Sequence, residues 1–148
     1  MELAELFAGR GYDLDAVSAR LKNVADELQL PLGERTRTYN SRRAQELGKW
    51  AEHLGKGDEY RAAVYHAYFV AGSNIGQVEV LAGIAADIGL AADQARKVLR
   101  EHSYVAAVDA DWQRARELGI TAVPSIRYRG RLLVGFTPYE SLRQLVSD

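Results

Sequence analysis

Apolar residues recur every three or four positions over most of this chain, which is the period of amphipathic α-helices. The period holds from residue 13 to residue 118. The first helix of this region has Asp13 at its N-cap position, and its apolar stripe ends before Pro31. The stripe consists of Val17, Leu21, Val24 and Leu28. The sequence therefore predicts a first amphipathic helix over this segment.

Five further helices follow at comparable spacings, four of them closed by a glycine that can adopt the left-handed conformation of a helix end. The predicted ranges are 41–54 with Asn40 or Ser41 as cap, 58–71, 78–88, 91–100 and 104–118. The closing glycines are Gly55, Gly72, Gly89 and Gly119. The first ten residues are predicted to form a short helix or a turn.

After Gly119 the period changes to two, which is typical of β-strands. Ile126 and Tyr128 alternate with arginines, Gly130 interrupts, and an apolar run continues to Gly135, so a β-hairpin is predicted. The arginines at 127, 129 and 131 alternate along it and predict one basic, solvent-facing ridge. The segment Thr137-Pro138-Tyr139-Glu140 has the pattern of a capping box and predicts a terminal helix with Leu142 and Leu145 inward.

Charge and composition exclude several function classes. The net charge is −1 and the pI about 6.3, so nothing indicates nucleic acid or an anionic membrane as a partner. No apolar run reaches the length of a membrane span and the first residues lack a signal-peptide pattern, so we expect a cytoplasmic protein. The chain has no cysteine, which excludes disulfides, thiolate metal sites and a cysteine nucleophile within it.

Other side-chain chemistry gives no catalytic or metal site. His53, His66 and His102 fall on three different predicted helices without metal-ligand spacing, and we interpret them as structural or surface histidines. The carboxylate pairs Asp13/Asp15 and Asp109/Asp111 are two residues apart, so on a helix they point to different sides. We predict no catalytic residue and no metal ligand in this chain.

The C-terminal segment resembles the second half of the thioredoxin fold in DsbA-like proteins. Within this segment, GITAVPS resembles the family's loop with the cis-proline. IRYRG and RLLVG resemble its two antiparallel strands, and TPYESLRQLV resembles its last helix. The run from YNSRR through AYF and NIGQVEVL to IGL resembles the helical insertion of the FrnE-like branch of that family. The resemblance spans nearly the whole chain in five ordered blocks.

The resemblance implies an α/β thioredoxin-like fold of the DsbA type, N-terminally truncated and mostly helical, followed by a β-hairpin and a C-terminal helix. It places the helical part at residues 1–118 and the ββα half at 119–148, together in one compact domain. Val123 and Pro124 take the positions of the family's cis-proline loop, with Ser125 where threonine is frequent, and these three are the expected substrate-binding residues. The family's redox CxxC has no counterpart here, so either the chain lacks it or Met1 is an internal methionine of a longer protein.

The implied function is that of a DsbA-like thiol-disulfide oxidoreductase family protein without redox cysteines of its own, which leaves open whether the chain is an enzyme. One alternative is a non-enzymatic peptide- or glutathione-binding module that uses the cis-proline loop. Another is a relative of the glutathione-dependent kappa-class transferases and 2-hydroxychromene-2-carboxylate isomerases. No cofactor is expected beyond glutathione as a candidate ligand. The unpaired strand edge from Ser125 to Arg129 predicts a homo-oligomer, a dimer in the simplest case.

Overall fold

The computed structural model describes residues 1–9, 11 and 13–147. Within these residues the chain forms eight helices and two strands in the predicted order. The helices are α1 (Leu3–Phe7), α2 (Leu14–Glu27), α3 (Arg42–His53), α4 (Gly57–Phe69), α5 (Val78–Asp87), α6 (Ala92–Arg100), α7 (Val105–Glu117) and α8 (Tyr139–Ser147). The strands are β1 (Ser125–Tyr128) and β2 (Arg131–Val134), which lie between α7 and α8.

Helices α3 to α6 enclose the main hydrophobic core. Leu47 of α3 and Leu81 of α5 are fully buried in it, together with the indole of Trp50 and the ring of Tyr60. Four alanines of the same core are also completely inaccessible to solvent: Ala51, Ala82, Ala85 and Ala95. Because an alanine adds only one methyl group to the helix surface, these positions allow the helices to approach closely.

An extended segment between α2 and α3 packs on the end of α4. The amide of Gly33 donates to the carbonyl of Phe69 (2.9 Å), and a Cβ at Gly33 would collide with the carbonyl oxygen of Val70. Further along, the guanidinium of Arg35 lies 4.7 Å from the ring centre of Tyr68. The Tyr68 hydroxyl lies 3.1 Å from Thr38 Oγ1, within hydrogen-bond distance. This segment therefore has a fixed path that only a glycine at position 33 permits.

Helix α2 forms as predicted, but its apolar stripe is not covered. The carboxylate of Asp13 accepts a hydrogen bond from the amide of Ala16 (3.0 Å), which confirms the predicted N-cap. An amphipathic helix normally buries its apolar face, yet Val17, Leu21 and Leu28 are 42%, 54% and 56% exposed. Within the described residues Val24 of the stripe is half-buried and the adjacent Ala25 is buried, so most of the stripe, but not all of it, is open to solvent.

The hairpin has a two-residue turn, which corrects one prediction. Tyr128 pairs with Arg131 across the strands, and Arg129 and Gly130 between them both have positive φ, as in the turns that match strand twist. Arg127 pairs with Leu132. Since cross-strand partners share a face and neighbouring pairs alternate, Arg127 and Arg131 lie on opposite faces. The prediction of a single basic ridge is wrong, because the strand does not continue through position 129.

The terminal helix also begins differently from its prediction. Its first residue is Tyr139, and the carbonyl of Pro138 accepts from the amides of Ser141 and Leu142. The Thr137 hydroxyl donates to the carbonyl of Gly135 (3.3 Å), and the Glu140 carboxylate binds Arg143 within the same helix. The two side chains of the predicted capping box thus have other partners. Leu145 is buried as predicted, and Leu142 is half-buried.

The chain divides into two compact units, residues 1–108 and 109–148, with the boundary inside α7. The sequence predicts a division after residue 118, with both parts in one compact domain. Both statements stay predictions. The expected end of the second part, Asp148, lies outside the described residues. None of the helices in the described part of the chain is long and apolar enough to cross a membrane.

Candidate functional site

The loop that joins α7 to β1 begins at a well-defined helix end. The amide of Gly119 donates to the carbonyl of Arg116 (2.9 Å), and that of Ile120 to the carbonyl of Ala115 (2.9 Å). Gly119 has a φ of 72°, which L side chains rarely adopt and which the chain needs in order to leave the helix. The glycine at this position therefore sets where the loop to the predicted site residues starts.

The three predicted site residues lie together at the entrance to β1. The side chain of Val123 is 89% exposed, Pro124 is exposed, and the peptide bond between them is cis. The Ser125 hydroxyl donates to the carbonyl of Ala122 at 2.6 Å. The Ser125 side chain thus closes the loop on itself, and its expected part in substrate binding stays a prediction.

The hydrogen-bond register of the hairpin fixes which backbone groups face outward. The amide of Gly135 donates to the carbonyl of Pro124 at 2.8 Å. In an antiparallel pair such hydrogen-bonded positions alternate with positions whose backbone groups point away from the partner strand. Ser125 and Arg127 occupy the alternate positions of β1. Since the described sheet has only two strands, these two residues present two N–H donors and two carbonyl acceptors at the outer edge.

Exposed apolar side chains surround this end of the hairpin. Val134, directly opposite Ser125 in the register, is 56% exposed. Phe136 follows the glycine that bonds to Pro124 and is 60% exposed. An outward-facing backbone edge with apolar side chains beside it is the kind of surface that binds an extended peptide as an added strand.

A second polar cluster, which the sequence did not indicate, lies in the helical unit. The Glu46 carboxylate is almost fully buried and accepts a hydrogen bond from Arg42 Nε (3.2 Å). The same guanidinium donates to the carbonyl of Val105 (3.1 Å), and His102 Nδ1 lies 3.9 Å from Glu46 Oε2. Because Arg42 compensates the charge and the carboxylate is shielded from solvent, the cluster fits a packing role between α3 and the start of α7. An Arg and a Glu four residues apart usually indicate an exposed helix pair, so the burial could not be read from the spacing.

The described residues contain no candidate metal centre. Among the described residues, no three His, Asp or Glu side chains converge as metal ligands would. His53 and His66 lie on α3 and α4 as predicted, but His102 lies in the turn between α6 and α7 with a positive φ, so its placement on a third helix is wrong.

The class of protein follows from comparison with known families. Over residues 10–147 the sequence matches the DSBA-like thioredoxin domain family. The chain belongs to this family, and its fold is the DsbA-like thioredoxin fold, as the sequence resemblance implied.

Individual relatives agree with this assignment. The uncharacterised protein YwbO of Bacillus subtilis (strain 168) is 27% identical over 100 residues, which cover 67% of this chain and 50% of YwbO. The chain thus spans about half the length of this curated relative. The structure of a candidate protein disulfide isomerase from Nitrosomonas europaea superposes with a TM-score of 0.68 at 18% identity, over 90% of this chain and 71% of that one.

A third relative is the cytosolic disulfide reductase DsbM from Pseudomonas aeruginosa, in its structure with GSH. It superposes with a TM-score of 0.62 at 21% identity, over 91% of this chain and 70% of that chain. At these identities the two structures establish the shared fold. The family is an oxidoreductase family, and the 148 residues of this chain contain no cysteine.

Proposed function

We propose that this chain supplies substrate binding in DsbA-like thiol-disulfide exchange, with the loop Val123–Ser125 and the outer edge of β1 as the binding surface. The observation that carries the proposal is the outward orientation of the backbone groups of Ser125 and Arg127 next to the exposed Val123. Disulfide exchange requires an attacking thiolate. Since the chain holds none, the exchanging thiols in this proposal belong to other molecules or to sequence outside these residues.

The ligand class that fits the surface is an extended peptide bearing a thiol or disulfide, with glutathione as its smallest form. A ligand backbone can pair with the two donors and two acceptors of the β1 edge, as in β-augmentation. The exposed guanidinium of Arg127 adds a positive charge that suits a carboxylate. Glutathione enters the proposal because the structure of the DsbM relative was determined with it.

A backbone edge can be tested with proline, which removes the N–H donor and also fixes φ at about −65°, so that a proline on the opposite edge is needed as a control. At position 127 the N–H points away from β2, so Arg127→Pro deletes a binding donor and leaves the hairpin bonds in place. Arg127→Ala removes the same side chain but keeps the donor. Leu132→Pro removes the equivalent outward donor from the other edge and is the matched control.

Calorimetric titration with glutathione, and with a short cysteine-containing peptide, gives the test. One hydrogen bond contributes about 1 kcal/mol, so Arg127→Pro should bind about fivefold more weakly than Arg127→Ala. Leu132→Pro should bind like the wild-type chain. Equal affinities of the two variants at position 127, or no binding by the wild-type chain, would refute the proposal.

Binding without catalysis is the second candidate function, and the absence of cysteine favours it. An insulin-reduction assay distinguishes the two. If the chain accelerates the reduction of insulin by added glutathione, it takes part in exchange. If it binds glutathione but leaves the rate unchanged, it is a binding module.

Three finer assignments remain part of this proposal. The ordered sequence blocks support the FrnE-like branch of the family, and the cytosolic DsbM relative supports a cytoplasmic location. The β1 edge from Ser125 to Arg129 would also fit the same edge of a second copy, as the sequence predicted. That dimer competes with the ligand for the same donors, so it would be detected as an affinity for glutathione that falls as protein concentration rises.

A further inference from the structure

We infer that α2 is a self-association surface that pairs with α2 of a second copy of this chain in antiparallel orientation. The feature behind this inference is the exposed apolar stripe of a helix that is otherwise well formed. Val17, Leu21 and Leu28 are 42%, 54% and 56% exposed, and Val24 between them is half-buried. Single exposed apolar residues are common on protein surfaces, but a continuous stripe indicates an interaction site.

The spacing of the stripe is that of a coiled-coil seam. Leu14, Val17, Leu21, Val24 and Leu28 recur at intervals of three and four, so they occupy the a and d positions of two heptads. Lys22 and Asp26, which form an ion pair of 3.0 Å, lie on the side of the helix away from the seam. A strict a/d stripe with charges elsewhere fits another helix as its partner better than it fits a broad sheet face.

The charges that flank the seam select a second α2 as the partner and set its direction. Arg20 and Glu27 occupy the two g positions, and in the described part of the chain neither forms an ion pair. In an antiparallel pair of helices g positions face g positions, so each Arg20 lies opposite the partner copy's Glu27. In a parallel pair Arg20 would face the position of Ala25, and no opposite charges would meet.

The same charges also select one register. With Leu21 opposite Val24 of the second copy, and Val17 opposite Leu28, the seam has four apolar layers and two Arg20–Glu27 pairs. A shift of one heptad in either direction brings like charges together, Arg20 against Arg20 or Glu27 against Glu27. The sequence of α2 is therefore complementary to itself in one arrangement.

The test is the molecular mass in solution, measured by sedimentation equilibrium from about 5 to 500 μM, the range suited to a small interface. The wild-type chain should change from 16.4 kDa to twice that mass as the concentration rises. Leu21→Asp alters both central layers and should lose the association through α2, which leaves the β1-edge dimer as the only proposed contact between its copies. Since Leu21 is more than half exposed within one chain, the variant should keep the helical circular dichroism of the wild type.

Charge reversals test the direction and the register. Arg20→Glu and Glu27→Arg each turn both ion pairs into like-charge contacts and should raise the dimer Kd about tenfold. The double variant restores opposite charges and should return the Kd to the wild-type value. Lys22→Glu makes the same change in net charge as Arg20→Glu but on the outer side of the helix, and it should leave the Kd unchanged.

Because the chain has no cysteine, introduced thiols report the orientation directly. Under mild oxidation, a mixture of Arg20→Cys and Glu27→Cys chains should give the mixed disulfide in preference to either symmetric one. A wild-type mass that stays at 16.4 kDa up to the highest concentration would overturn the inference. So would association as strong in Leu21→Asp as in the wild type, which would place the interface elsewhere, for example at the hairpin edge. Charge reversals without effect would overturn the antiparallel register.

Discussion

Removal of one buried hydroxyl should make this protein more stable. The ring of Tyr60 is 3% exposed within the helical core, and its hydroxyl has no hydrogen-bond partner among the described residues. A buried polar group without a partner costs roughly 1 to 3 kcal/mol. Tyr60→Phe removes the hydroxyl and keeps the ring, so we expect it to raise the free energy of unfolding by about 1 kcal/mol, or Tm by about 3 °C.

Tyr68 provides the matched control in the same helix. Its hydroxyl lies 3.1 Å from Thr38 Oγ1. Tyr68→Phe removes that hydrogen bond, so it should lower the free energy of unfolding by about 1 kcal/mol. Urea unfolding followed by circular dichroism gives both values, and the two variants should differ in sign. If Tyr60→Phe is destabilised as much as Tyr68→Phe, the Tyr60 hydroxyl has a partner such as an ordered water, and the reasoning is refuted.

The same pair of variants gives a pH dependence. Burial raises the pKa of Tyr60 above its usual value of 10, because the phenolate would be desolvated. The stability that the protein gains by keeping this phenol neutral is therefore fully present below pH 10. It is lost as the pH rises towards the raised pKa of the folded state. Above pH 10 the wild type should lose stability relative to Tyr60→Phe, by at most about 1.4 kcal/mol per pH unit. A difference between the two that stays constant from pH 8 to pH 11 would contradict this.

Three further predictions concern glycines and one ion pair. Gly48→Ala adds a Cβ at an ordinary 3.6 Å from the Tyr60 ring within α3, so it should stabilise the protein by about 1 kcal/mol in thermal melts. Gly33→Ala should destabilise it by more than about 1 kcal/mol, since the new Cβ would meet the backbone at the end of α4. Arg96 holds the pKa of Glu79 below its usual value through hydrogen bonds between α6 and α5. The contribution of this ion pair to stability should be present above pH 4.5 and lost as the pH falls below it. In Tm measurements, Glu79→Gln should therefore remove this part of the decrease in stability at acid pH.

Local features of the fold could be predicted because local residues determine them. The glycines at 55, 89 and 119 each follow a helix and each has positive φ. The hairpin can be predicted because Gly130 separates an alternating run from an apolar one. These elements depend on backbone conformations that few residues allow, so a single position carries the signal.

Features that depend on contacts between distant segments could not be predicted in this way. The spacing of Arg42 and Glu46 is that of an exposed pair, yet Glu46 is buried and Arg42 reaches the carbonyl of Val105, 63 residues further along the chain. The stripe of α2 shows the opposite case, since its pattern is that of a buried face while Leu21 is exposed. A hydrophobic pattern indicates that a helix face is buried by packing, but it does not indicate which chain packs against it.

The predicted substrate site has a further property that limits what a motif search can find. Its binding groups are main-chain N–H and C=O groups of Ser125 and Arg127, which almost any sequence would provide in that register. The residues with a specific part in this geometry are Gly130, whose positive φ forms the turn, and Ser125, whose hydroxyl closes the loop before β1. In the proposed function these residues contribute recognition, and the exchanging thiols come from other molecules or from sequence outside these residues. The affinity for a thiol-bearing peptide is therefore the quantity that tests this proposal most directly.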